Sequence, residues 1–273
     1  MASLALPQSL KLVRQDGCVH VTFDRVHARN AFDREMWLGL GHLIASLEAD
    51  AGVRIVVLRG AAGKFCAGGD LRERAELRMN SDGGGDDPLA AGSEAEAAVL
   101  RALLGLPQVV IAAVEGIAAG AGVSLAAASD IVLAESGSVF MTPEVRLGFP
   151  PAQVLHFLVR RIGEGAARGM LLTGRKIDCD EAHRIGLVDI RASGKEAFEA
   201  ALAALVSDLH QCAPGALAAT KALFDLVELP DYPARAARVF AARVRSSEGM
   251  EGESVFFEKR KPSWCANADA GED

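Results

Sequence analysis

Residues Val53 to Leu71, VRIVVLRGAAGKFCAGGDL, hold the reading that decides the fold. Val53 to Leu58 (VRIVVL) is a short run of apolar and β-branched residues between glycines, the composition of a strand buried on both faces. Gly60 to Asp70 follows as a loop of small residues that opens into a helix at Leu71. The pattern recurs downstream. Val109 to Val114 (VVIAAV) reads as a second buried strand, Gly120-Ala121-Gly122 as a second small-residue turn, and a helix over 120–128 precedes a strand over 130–134. Strand, turn and helix in alternation predict an α/β chain with parallel strands. The run from Val109 to Ala128 has the length of a membrane span. It nevertheless carries Glu115 and three glycines and has no aromatic or basic anchors, so strand, turn and helix account for it.

Outward from these two units the patterning continues. Leu10–Val13 and Val19–Phe23 flank Gln15-Asp16-Gly17 as a hairpin. Asp33 is placed to cap a helix whose apolar face is Met36, Trp37, Leu40, Leu43, Ile44 and Leu47. Met79 to Ser93, MNSDGGGDDPLAAGS, reads as a surface loop, with a helix from Glu94 to Leu106 after it. Gly186 to Asp189 reads as a strand, and helices are predicted over 195–210, 214–227, 234–245 and 251–258. The expected organisation is an α/β core over residues 1–205 and a helical region over 206–273.

Composition removes several function classes. Half of the 273 residues are hydrophobic and 24% are charged, enough for a large core. Twenty-nine Lys and Arg against 36 Asp and Glu leave a net charge of −7, which argues against nucleic-acid binding. Five scattered cysteines without CxxC spacing give neither a disulfide framework nor a zinc site. The first residues, MASLALPQSLKLVRQDG, lack a basic segment leading into an apolar one, so a cytoplasmic protein is expected.

The glycine turns are not nucleotide sites. Gly60-Ala-Ala-Gly63-Lys64 is too short for a P-loop and is followed by Phe65, and Gly120-Ala-Gly122 lacks the third glycine of a dinucleotide turn. Gly122-Val-Ser124-Leu-Ala126 misses the last glycine of a serine-hydrolase elbow. Small residues where a strand gives way to a helix either let elements pack closely or let a ligand approach the backbone. In the second case, amides from two such turns form an oxyanion hole suited to a carbonyl that becomes an enolate.

Phe65-Cys66-Ala67-Gly68-Gly69-Asp70-Leu71 resembles the FxAGxDL segment of the enoyl-CoA hydratase/isomerase (crotonase) superfamily. Other segments follow in the same order: Arg29-Asn30-Ala31-Phe32, Gly116 through Gly122 to Asp130-Ile131, Phe140 to Gly148, Leu172-Thr173-Gly174, Ile185 to Val188, and Phe256 to Pro262. The resemblance implies a crotonase-like fold, a superhelix of repeated ββα turns with a C-terminal helical trimerisation region, assembled as a homotrimer or dimer of trimers. It also implies an acyl-coenzyme A substrate with no metal and no separate cofactor, coenzyme A being part of the substrate.

By position, the resemblance places the amides of Ala67 and Ala121 in the oxyanion hole and Glu144, after Pro143, as the acid/base. Ser124 stands where typical hydratases carry a second glutamate, leaving a hydroxyl to orient water. Arg25, Ala28, Arg29, Cys66, Gly68, Gly69, Asp70, Leu71, Gly120 and Gly122 are implied to line the coenzyme A and acyl region, completed by Phe256 and Lys259 from a neighbouring subunit. Gly148-Phe149-Pro150-Pro151 and the segment from Gly252 to Trp264 resemble hydratases of 3-branched substrates, methylglutaconyl-CoA or isohexenylglutaconyl-CoA. Their acyl chains end in a carboxylate, for which Arg146, Arg160 and Arg161 are candidates. The expected reaction is hydration of a 2-enoyl-CoA. The alternatives are double-bond isomerisation with Glu144 alone, or acyl-CoA binding with little turnover.

Overall fold

A computed structural model describes residues 6–80 and 87–265. Six strands form the main sheet: β1 (Leu10–Gln15), β2 (Cys18–Phe23), β3 (Ile55–Gly60), β4 (Val109–Val114), β6 (Ile131–Glu135) and β9 (Ile190–Ala192), adjacent in that order. Only β1 and β2 are antiparallel, joined as the expected hairpin, and every later pair is parallel. A second sheet joins β5 (Ile117–Ala119), β7 (Val139–Met141) and β8 (Ile177–Asp178). After β2, β3, β4 and β6 the chain turns and makes a second, shorter pairing. Phe32 pairs with Gly69, Cys66 with Ala118, and β5 with β7. This is the ββ part of the expected repeat.

The strands alternate as period-2 geometry requires. Val56, Leu58, Val110, Ala112 and Val114 face one core with α1 (Arg34–Glu48), α3 (Pro88–Gly105), α4 (Ala121–Ala128) and α5 (Ala152–Thr173). Ile55, Val57, Val109, Ile111 and Ala113 face a second core, capped by Phe198, Leu202 and Leu209 of α7 (Lys195–Gln211). Burial on both faces explains why VRIVVL and VVIAAV read as continuous apolar runs. Asp33 caps α1 as expected, accepting from the Met36 amide at 2.9 Å.

Two sequence expectations need revision. The supposed loop over 79–93 is helical at every described residue but Asp87, for α2 (Leu71–Asn80) extends into it and α3 begins at Pro88. Asp87 caps α3 by accepting from the Leu89 amide at 2.9 Å, and Pro88 occupies the first turn, where its missing N–H costs nothing; the glycines at 83–85 lie outside the described residues. The strand expected over 186–189 instead forms at Ile190–Ala192, after Gly186 turns the chain with φ 84°. The helix α7 packs on the sheet as far as Leu209. Beyond it lie α8 (Pro214–Phe224), α9 (Tyr232–Val244) and α10 (Ser247–Glu258). No described helix is long and apolar enough to cross a membrane.

Candidate active site

The two small-residue turns lie side by side beyond the C-terminal ends of β3 and β4. Asn30, fully buried with φ 59°, holds the first turn by donating from Nδ2 to the carbonyls of Ala61 (3.0 Å) and Lys64 (2.6 Å). The amides of Phe65 and Cys66 donate to Glu115 and Ile117, both at 2.9 Å. The Ala67 amide donates to the Arg29 carbonyl at 3.1 Å, the Gly68 amide to Cys66 Sγ at 3.4 Å and the Asp70 amide to Phe32 at 2.8 Å. Gly69 lies between them with an N–H that has no partner among the described residues. The sequence motif pointed to Ala67 as the oxyanion donor. Its N–H is already engaged by Arg29, and the free amide of this turn is that of Gly69.

The second turn needs its glycines. Gly120 has φ 47°, and a Cβ there would sit 2.7 Å from Glu144 Oε1; one on Gly122 would lie 2.6 Å from the Cys66 carbonyl oxygen. These contacts let α4 start directly against the first turn. Ala121 is the first residue of α4, with an N–H unpaired among the described residues, as helix geometry leaves it. It is not among the residues with positive φ, so its methyl adds no backbone strain. Gly69 and Ala121 thus supply two available amides from neighbouring turns.

Glu144 stands over the second turn, in a single 3-10 turn that begins at Pro143. Its Oε1 lies against Gly120, and its Oε2 is buried with no hydrogen-bond partner among the described residues. Burial raises its pKa above the ordinary carboxylate range; its own amide and the charge of Arg74 oppose this without cancelling it. Such a carboxyl is suited to taking and returning a proton near neutrality.

Two residues that the sequence reading missed act on this carboxyl electrostatically. Arg74, on α2, stacks its guanidinium on Phe149 at 4.7 Å, and Glu96 lies on α3. Burial pushes the Glu96 carboxyl up to about 7, with Glu144 adding to the rise and Arg74 opposing it. A signal for Glu96 was present. It falls on the helical stripe of Leu100 and Leu103, an acid where α3 turns its buried face inward.

Other expected site residues have structural duties. Arg25 pairs with Asp70 at 2.6 Å and Asp33 at 3.0 Å, so it ties the first turn to α1. Asp70 caps α2, accepting from the Arg72 amide at 2.8 Å. Burial would raise its pKa, but Arg25 and the capping amides outweigh that and hold it low. Ala28 closes a single 3-10 turn before Arg29, whose carbonyl engages Ala67. Cys66 is fully buried, with its thiol pushed up to about 12 by burial, while Leu71 is exposed at the start of α2. Ser124 is buried, and its hydroxyl donates back to the Gly120 carbonyl at 3.4 Å.

The candidates for a distal carboxylate are engaged elsewhere. Arg146 donates to the Thr173 carbonyl at 2.8 Å, Arg160 pairs with Asp225 at 2.9 Å, and Arg161 binds Asp189 and the Ser129 carbonyl. Phe256 and Lys259 are not brought to this site within one chain. Their segment is anchored through the Trp264 carbonyl to Arg54 (2.8 Å), before the N-terminal end of β3 and at the far end of the sheet from the two turns.

Parallel strands with paired second segments, two free amides and one partnerless buried carboxyl define an acyl-thioester enzyme of the crotonase fold. The family model for enoyl-CoA hydratase/isomerase matches residues 13–267, and the chain belongs to that family. An enoyl-CoA hydratase/isomerase structure from Marinobacter aquaeolei superimposes with a TM-score of 0.91 at 37% identity, covering 95% of this chain and 100% of that one. Pseudomonas aeruginosa AtuE gives 0.90 at 39% identity, covering 94% and 100%. A carnitinyl-CoA dehydratase from Salmonella arizonae is 33% identical over 269 residues, 95% of this chain and 99% of its own.

Proposed function

We propose that this enzyme adds water across the 2,3 double bond of a 2-enoyl-CoA whose acyl chain is 3-branched, of the methylglutaconyl or isohexenylglutaconyl type. The observation that carries the reading is the buried Glu144 Oε2 without a partner, set beside two turns whose Gly69 and Ala121 amides are unengaged. The thioester oxygen accepts from those two N–H groups. Glu144 takes a proton from water as the water oxygen bonds to C3, and the π electrons move onto the thioester oxygen as an enolate. The enolate then collapses while Glu144 returns the proton to C2, so one carboxyl serves as base and then as acid. Fixed donors at the developing oxyanion contribute about 3–4 kcal/mol each in comparable sites.

Coenzyme A is part of the substrate, and no separate cofactor enters this scheme. Phe256 and Lys259 reach the coenzyme A of a neighbouring subunit in a homotrimer or dimer of trimers. The aromatic rings that the C-terminal helices expose, Phe240 at 70% and Phe257 at 80%, support an assembly of that kind.

Ser124 favours a second reading. Its hydroxyl is directed at Gly120, and with Glu144 as the sole acid at the two expected positions the enzyme would shift the double bond instead. Incubation with crotonyl-CoA and methylglutaconyl-CoA in isotopically heavy water separates these readings. Labelled oxygen at C3 supports hydration. A displaced double bond with solvent deuterium at C2 or C4 and no oxygen uptake supports isomerisation, and binding without either change supports a weakly active acyl-CoA-binding protein.

A further inference from the structure

We infer that Arg74 forms a subsite for an anionic group on the acyl chain, a carboxylate at about the fifth carbon from the thioester. The inference rests on the acyl-CoA reading of the site and names the residue that reading lacked, since Arg146, Arg160 and Arg161 are engaged elsewhere.

The guanidinium of Arg74 is partly buried and stacked on Phe149 at 4.7 Å, and it makes no hydrogen bond or ion pair among the described residues. Most other partly buried guanidinium groups here are spent: Arg25 on Asp33 and Asp70, Arg59 on Glu115 and Glu199, and Arg161 on Asp189. Arg74 therefore keeps its planar fork of donors available, the geometry that matches a carboxylate.

Its position fits the acyl end of the substrate. A Cβ on Gly69 would lie 3.1 Å from Arg74 Nη2, so the guanidinium stands beside the turn that presents the free Gly69 amide. Through Phe149, on which it stacks, it stands on the same side of the site as the acid/base Glu144. Phe149 fixes the outer face of the guanidinium, and its own amide donates to the Glu144 carbonyl at 3.2 Å. A bond from Gln153 Nε2 to Ser93 Oγ at 2.9 Å ties α5 to α3, one turn before Glu96. The charged groups facing Arg74 are Glu96 and Glu144. Neither carboxyl forms an ion pair or hydrogen bond with Arg74 among the described residues, so its fork of donors stays open to a substrate carboxylate.

Binding of two saturated thioesters of equal length tests this without any turnover. Glutaryl-CoA carries the carboxylate and valeryl-CoA a methyl in its place. Titration calorimetry on the full chain is expected to show glutaryl-CoA bound more tightly. R74Q should weaken glutaryl-CoA on the order of 10- to 100-fold, the scale of a charge-assisted pair, with valeryl-CoA unchanged within about 3-fold. R74K should recover part of the loss, and R72Q, which removes an exposed neighbouring charge, should leave both affinities within about 2-fold. Valeryl-CoA affinity confirms that R74Q is folded. Equal loss for both thioesters, or no loss for glutaryl-CoA, overturns the assignment. Failure to hydrate any enoyl-CoA would sink the hydratase reading while leaving this comparison of affinities intact.

Discussion

Replacing Glu96 with Gln removes a pH dependence of stability that the burial of Glu96 imposes. The Glu96 carboxyl, ordinarily at 4.5, is pushed up to about 7, chiefly because α3 takes it out of water. A carboxyl whose folded pKa is raised contributes full stability below its unfolded pKa, and that contribution falls as pH climbs to the folded value. The gap between 4.5 and about 7, at ~1.36 kcal/mol per pH unit, makes ionised Glu96 cost the folded state about 3 kcal/mol. Gln has nearly the shape of the protonated acid and does not ionise. Glu96→Gln should therefore match the parent below about pH 4, pull ahead of it between about pH 4.5 and 7, and lead by about 3 kcal/mol at pH 8 and above. Urea unfolding at fixed protein concentration across this range measures the difference. Parallel profiles for the two proteins, or a parent that gains on the variant as pH rises, would refute the argument. The latter would mean that attraction to Arg74 outweighs the burial of Glu96.

Three further outcomes follow from the geometry. Glu144→Gln should cut turnover by about 100-fold or more with acyl-CoA affinity largely kept, read by steady-state kinetics and calorimetry. Ser124→Ala should cost less than about 10-fold, because its hydroxyl is spent on the Gly120 carbonyl; a loss equal to that of Glu144→Gln would give Ser124 a direct part in the reaction. Gly120→Ala should lower turnover more than affinity and cost about 1–3 kcal/mol of stability, since φ 47° strains an L-residue and the new methyl would meet Glu144 Oε1. Denaturant unfolding and the ratio of kcat to KM separate those two effects.

The parallel core was legible because both faces of β3 and β4 are covered, so burial left an unbroken apolar signal in VRIVVL and VVIAAV. The start of α1 was legible because Asp33 caps it locally. The start of α3 was misread although Asp87 and Pro88 carry a capping signal, since the neighbouring glycines and acids dominated that stretch. The free amide of the first turn lies two residues beyond the one the motif pointed to, for a different reason. Whether an amide in the first turn is free depends on Arg29 and Phe32, which reach it through the fold, and the motif itself cannot show that. Arg74 was missed on the same ground, for α2 joins the site only through packing, whereas Glu96 left a signal in the buried stripe of α3 that was not read.

The central claim is that the amides of Gly69 and Ala121 hold one thioester oxygen beside Glu144. A crystal structure of the full-length protein with butyryl-CoA tests it most directly. The account predicts the thioester oxygen about 2.7–3.1 Å from both nitrogens, with the Glu144 carboxyl over C2 and C3. An oxygen that contacts neither amide, or a Glu144 side chain turned away from the acyl chain, would contradict it.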